Sequence, residues 1–222
     1  MPDVPFNISN GPINIISKEK LPNSKRSYGD LIHNDTFFYL TPTSDFVNPN
    51  NNKIIYGPFL LGPQSHPLRN EVEITYNATS YIDQLGVYKF DKRKKKWKFI
   101  NSSKDMNNIT AIVKFGGTYS IIRDKKSPTI RKSIPKINST YRHDHFNQIQ
   151  FEVDDKLSGI GDENNIDVFL DGEKLIVEYN HYRKTVHYKL KNNLEIGTHS
   201  LKIEVRDNMG NANTIDGEFF IQ

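Results

Sequence analysis

Apolar and polar positions alternate with a period of two along most of this chain, the spacing that turns successive side chains to opposite faces of a strand. The alternation is cleanest from Ile149 to Ile221. It runs through Ile149, Phe151 and Val153, then Ile166, Val168 and Leu170, then Leu201, Ile203 and Val205, and ends with Phe219 and Ile221. Turn-forming residues separate these runs: Asp154-Asp155-Lys156-Leu157-Ser158-Gly159-Ile160, Asp171-Gly172, Gly197-Thr198-His199 and Asp207-Asn208-Met209-Gly210-Asn211. Asp-Gly supplies the two positive φ angles of a tight hairpin. Gly210 predicts a further positive φ in the turn before the last strand.

The first half carries the same signal less regularly. Strands are predicted at Ile13–Ile16, Thr36–Leu40, Ile54–Leu61, Val72–Tyr76, Leu85–Phe90, Trp97–Ile100, Ile109–Val113 and Thr118–Ile122. Thr41-Pro42, Asn48-Pro49-Asn50, Gly57-Pro58 and Gly62-Pro63 punctuate them. No segment keeps a helical period of 3.6, so almost no helix is expected. Short strands at regular spacing predict an all-β fold of two tandem β-sandwich domains, 1–127 and 128–222, the second immunoglobulin-like. The boundary is set by Lys125-Lys126-Ser127-Pro128, because Pro128 cannot donate to a ladder and restricts the residue before it. Ser133–Asn147 is polar and reads as loop or edge structure.

Charge supports that division. Residues 1–127 hold 18 Lys/Arg against 11 Asp/Glu, and residues 128–222 hold 12 against 15. Balances of opposite sign suit two bodies and give slight support to an anionic partner for the first. The absence of cysteine removes disulfides and thiolate metal sites, so both domains are held by packing. No apolar stretch is long enough to span a bilayer, and membrane insertion is not expected. Met1-Pro2-Asp3-Val4-Pro5 has neither the basic start nor the apolar run of a signal peptide, so an exported form would be a piece of something longer.

Several of these segments look alike in another setting. Tyr56-Gly57-Pro58, Glu71–Tyr76, Leu85–Phe90 with Trp97, and Ile109–Tyr119 with Asp124 and Pro128 resemble a β-domain of secreted bacterial proteins. The Asp-x-x-Ser-Gly-Ile, Leu-Asp-Gly, Gly-x-His and Asp-x-x-Gly-Asn motifs beyond it are similar to bacterial immunoglobulin-like repeats. The tandem resembles the non-catalytic region that follows lysostaphin-like zinc murein peptidase domains, over most of residues 56–222 and only loosely over 1–55. The resemblance implies an extracellular or cell-surface location and other domains of the same protein, or a cell-surface partner, as neighbours. Its residues are turn and core positions, so it speaks for fold and not for ligand.

The candidate chemistry is sparse. The related peptidases would hold zinc through a His-x-x-x-Asp element and a His-x-His element, with an open position for water. His143-Asp144-His145 has the second spacing, but neither His33 nor His66 is followed by Asp four residues on. The two loop histidines are therefore read as non-ligands. Asp154, Asp155, Asp162 and Glu163, with Asp207 and Asn208, form an acidic group that would suit calcium, although tight turns need the same residues. Lys92-Arg93-Lys94-Lys95-Lys96, flanked by Phe90 and Trp97, would meet an anionic polymer, such as one of the cell wall, or a membrane surface. The simpler reading is a solvated hairpin tip that discourages strand pairing, with Trp97 in a core. Six Asn-x-Ser/Thr sequons, at Asn7, Asn34, Asn77, Asn101, Asn108 and Asn138, matter only in a eukaryotic secretory host. No nucleophile–base order, phosphate loop or dinucleotide fingerprint occurs, and nucleic acid is not an expected partner.

These observations point to a non-catalytic extracellular module that spaces, presents or docks a functional domain. No catalytic, cofactor-binding or metal residues are assigned. Two alternatives stay open: an accessory region of a murein metallopeptidase, and a carbohydrate or cell-wall polymer binding module.

Overall fold

In a computed structural model of the chain, the structure describes residues 7–17, 39–49, 53–62, 64, 67–79 and 81–222. His33, His66, Asn34 and Thr36–Phe38 lie outside the described residues. Among those described there is no α-helix; one short 3-10 turn spans Glu163–Asn165. The chain divides into two compact units, Met1–Asp124 and Lys125–Gln222.

The first unit contains β1 (Asn7–Asn10), β2 (Ile13–Ser17), β3 (Tyr39–Pro42), β4 (Lys53–Gly62), β5 (Pro67–Asn77), β6 (Leu85–Asp91), β7 (Lys96–Ile100), β8 (Ser102–Asp105), β9 (Asn108–Phe115) and β10 (Gly117–Arg123). They form two five-stranded sheets, ordered β1-β2-β5-β9-β8 and β3-β4-β10-β6-β7. Alternation aims Ile13, Ile15, Val72, Ile74, Ile109 and Val113 of one sheet at Phe59, Leu61, Leu85, Val87, Tyr119 and Ile121 of the other, in one shared core. Each such buried side chain contributes on the order of 1.5–3 kcal/mol of transfer free energy.

Trp97 is buried, as expected, but on the opposite face from this core. It pairs across the ladder with Phe90, whose parity is opposite to that of Val87. That outer face, with Tyr88, Phe90, Trp97 and Ile122 buried on it, is roofed by the segment that follows β3. Phe46 stacks at a tilt on Trp97 with centroids 6.2 Å apart, and Trp97 Nε1 donates to the Val47 carbonyl at 2.7 Å. The Thr43 N–H donates to the Pro58 carbonyl at 3.1 Å and anchors the start of the segment.

The second unit contains β11 (Thr129–Ile134), β12 (Thr140–Tyr141), β13 (Gln148–Asp154), β14 (Ile166–Leu170), β15 (Glu173–Leu175), β16 (Glu178–Asn180), β17 (Thr185–Lys189), β18 (Gly197–Arg206) and β19 (Ala212–Ile221). One sheet runs β11-β13-β17-β16 and the other β12-β19-β18-β14-β15. The first order is A-B-E-D of an immunoglobulin domain, and the second is G-F-C-C′ with a short parallel strand added beside G. Every apolar residue of the alternating runs named above for this half is buried in its core. Phe146 joins them from the turn before β13.

Candidate functional site

Five places in the described structure gather chemistry-bearing side chains. The first is the acidic loop set of the second unit. Asp155 starts the loop after β13, and its Oδ2 accepts hydrogen bonds from Leu157 N at 3.0 Å, Gly159 N at 2.6 Å and Ser158 Oγ at 3.4 Å. Asp207, only 2% exposed, does the same for the β18–β19 turn. Its Oδ1 accepts from Met209 N and Asn211 N, and its Oδ2 from Asn211 Nδ2 at 2.7 Å. Asn208 then stitches the two loops, donating from Nδ2 to the carbonyls of Ser158 and Gly159 at 2.8 and 3.1 Å. The structure therefore brings Asp155, Asp207 and Asn208 together, with oxygens of the two carboxylates within 4.8 Å of each other. Asp154 is elsewhere, paired with Lys184, and Asp162 caps the 3-10 turn through Asn164 N. The chemistry seen in these loops is turn construction: a carboxylate oxygen collects the N–H groups that a sheet edge would leave open.

The Leu-Asp-Gly and Gly-x-His motifs meet across the other sheet. Asp171 and Gly172 both have positive φ (52° and 82°) and close the β14–β15 hairpin. Asp171 also accepts from Ser200 N at 2.8 Å and pairs with His199 Nδ1 at 2.7 Å. His199 Nε2 lies 2.9 Å from the Glu195 carbonyl, and the ring stacks on Phe219. Burial opposes the charged imidazole, but the Asp171 carboxylate and the Glu195 carbonyl outweigh it and raise the His199 pKa. The group is a structural clasp joining the hairpin to β18.

His143, Asp144 and His145 sit in a turn after β12. Arg142 holds Asp144 through two guanidinium hydrogen bonds, at 3.1 and 2.9 Å. His145 is exposed and His143 half-buried, while Phe146 enters the core.

In the first unit, Lys92–Lys95 form the loop between β6 and β7, and Lys96 begins β7, a strand at the edge of its sheet. Lys92 pairs with Asp45, and Asp91 accepts from Lys94 N at 3.0 Å, which holds its carboxyl below the usual range. Lys96 and Lys98 are exposed on the strand while Trp97 is buried between them, so the charges guard the edge. Lys89 is different. Its ammonium lies 5.1 Å from the Phe115 ring and 5.6 Å from the Tyr119 ring, and burial lowers its pKa.

The fifth place is a cavity of about 420 Å³ on the open face of the β13-β17-β16 sheet. Gln150, His187 and Glu178 stand abreast across three strands, with Thr185 and Asn180 in the next row. Arg183 reaches in from the β16–β17 turn, whose Asn180 Oδ1 accepts from Arg183 N at 2.9 Å. Sequence reading missed this site. Thr185-Val186-His187-Tyr188-Lys189 does alternate, but with one fully buried residue, Val186, its apolar signal is faint.

No family model matches the chain, and no curated protein matches it. Among solved structures, the extracellular domain of BT4673 from B. thetaiotaomicron, described as a one component system, is similar at 12% identity and a TM-score of 0.30. A second structure of that domain, described as a hybrid two component system, is similar at 12% identity and 0.29. Each match covers 100% of this chain and 31% of the other, so the chain spans about a third of their length. Likeness that slight bears on neither fold nor role. No helix of the described residues is long and apolar enough to cross a membrane.

Proposed function

We propose that this chain is a non-catalytic extracellular module that spaces, presents or docks a functional domain of a secreted or cell-surface protein. The observation that carries the reading is the presence of two separate cores, each closed by strands of its own unit and joined by the five residues between Arg123 and Thr129. Side chains rich in hydrogen-bonding potential are spent on construction: Asp155, Asp171 and Asp207 each hold a turn, and the basic run guards a sheet edge. An accessory place beside a murein peptidase domain is the version of this reading that the sequence motifs support. The chain inserted between a surface anchor and a reporter enzyme on a bacterial cell should improve capture of a bulky immobilised substrate over a direct fusion. Equal capture would contradict a spacing role. Chelator-sensitive cleavage of peptidoglycan or glycyl peptides by the purified chain, abolished by His145→Ala, would overturn the non-catalytic part.

A further inference from the structure

On the β13-β17-β16 face of the second unit, polar side chains gather around a hollow with much of their hydrogen-bonding capacity still open. Alternation explains why it exists. Phe151, Val186 and Tyr179 stand abreast and point into the core, so their neighbours in each strand point out. Those neighbours are Gln150, His187 and Glu178 in one row and Thr185 and Asn180 in the next. The resulting cavity of about 420 Å³ lies within the range of about 300–1,000 Å³ typical of small-ligand sites. Its lining is mixed, with the polar ends of Gln150, Glu178, Asn180, Arg183, Thr185 and His187 set among a comparable extent of apolar surface.

The chemistry of that lining narrows the occupant. Gln150 and Asn180 each carry a donor and an acceptor, Thr185 a hydroxyl, Glu178 two acceptor oxygens and Arg183 a fork of donors. Among the described residues neither the Glu178 carboxylate nor the Arg183 guanidinium has an ion-pair partner, although both line the same hollow. His187 is oriented by Gln148 through Nε2 at 2.9 Å. One carboxylate and one guanidinium leave the lining balanced in charge, which disfavours a phosphate or a polyanion. Hydrogen-bonding groups set among apolar surface suit a ligand that carries both, and disfavour a purely apolar one. A second observation lies beside it: Tyr182, next to Arg183 in the β16–β17 turn, is 97% exposed. A large ring left in water on the turn that carries Arg183 offers an apolar plate with a polar tip.

We propose that this face binds a neutral glycan chain. Ring hydroxyls, which both donate and accept, would be read by the amides, Glu178 and Arg183, while the C–H face of a sugar packs on Tyr182. This goes beyond the spacing role and does not depend on it.

The test is a titration of isotope-labelled chain with cellohexaose, xylohexaose, mannohexaose and N-acetylchitohexaose, followed by amide resonances and calorimetry, with polygalacturonate as the charged control. At least one neutral probe should shift resonances of β13, β16 and β17. Arg183→Ala and Glu178→Ala, both at exposed positions, should each weaken that binding about tenfold or more while leaving the melting of the second unit unchanged. Tyr182→Ala should weaken it too. No shift with any neutral probe would overturn the proposal. Binding that survives both substitutions, or binding of polygalacturonate alone, would overturn it equally.

Discussion

The two units reach the same architecture by different means. In the second, short-range hydrogen bonds converge on single carboxylates, so that Asp155 organises Leu157, Ser158 and Gly159, and Asp207 organises Met209 and Asn211. In the first, Asp91 does the same for one turn through Lys94 N, but the segment after β3 is held by contacts far apart in the chain: Val47 with Trp97, Thr43 with Pro58, Asp45 with Lys92. A turn closed within four residues leaves a motif that can be read directly. A contact closed across fifty leaves only scattered aromatic and polar residues whose partners are unknowable until the strands are registered.

The largest effect should come from removing one of the local organisers. Asp207→Ala strands two backbone N–H groups and the Asn211 amide in a buried turn, and should destabilise the second unit by about 3 kcal/mol in urea unfolding. The first unit's transition should stay in place. A loss well below 1 kcal/mol would mean that the loop re-satisfies itself, and the contrast between the units would weaken.

Gly210 sharpens the same point. Its φ is +84°, and a Cβ there would meet nothing within 4 Å, so any penalty is backbone strain and not collision. Gly210→Val should destabilise the second unit by roughly 1–3 kcal/mol, with Gly210→Ala costing less. A Gly210→Val cost far above that range, with Gly210→Ala nearly neutral, would point to a clash that the geometry does not contain.

The first unit can be tested through its outer face. Trp97→Phe keeps an aromatic ring but deletes the hydrogen bond to the Val47 carbonyl. The first unit should lose about 1 kcal/mol, and limited proteolysis within 43–49 should accelerate, while the second unit melts as before. Unchanged proteolysis would show that Phe46 packing alone holds the segment.

The smallest effect is electrostatic. The His199 pKa is raised in the folded state, so its contribution is full below the ordinary histidine value and is lost as pH rises through the raised one. Because the Asp171 carboxylate is substantially exposed, screening limits the gain to about 1 kcal/mol at most. The second unit should melt slightly lower on the alkaline side of that window, and His199→Gln should flatten the dependence. A melting temperature that rises with pH there would reverse the assigned sign.

How much was legible follows from the same distinction. Val72, Ile74, Tyr76 and the four alternating runs of the second half could be placed in cores because period two is written locally. β8 (Ser102–Asp105) could not, since a polar edge strand pairs through its backbone and carries no apolar rhythm. Trp97 was foreseen as buried but not on which face, because that depends on Phe46 and Val47 arriving from another part of the chain. The glycan-facing residues escaped for a related reason. Glu178, Arg183 and His187 are unremarkable singly, and only the β13-β17-β16 register sets them around one hollow.

The central claim is that the chain holds two cores that stand independently. Differential scanning calorimetry of the whole chain, beside residues 1–124 and 125–222 expressed separately, tests it most directly. The account predicts that each piece folds and melts cooperatively, and that the whole chain shows two transitions at which Asp207→Ala moves only the one shared with the second piece. A single transition that shifts as a unit, or a piece that fails to fold alone, would contradict it.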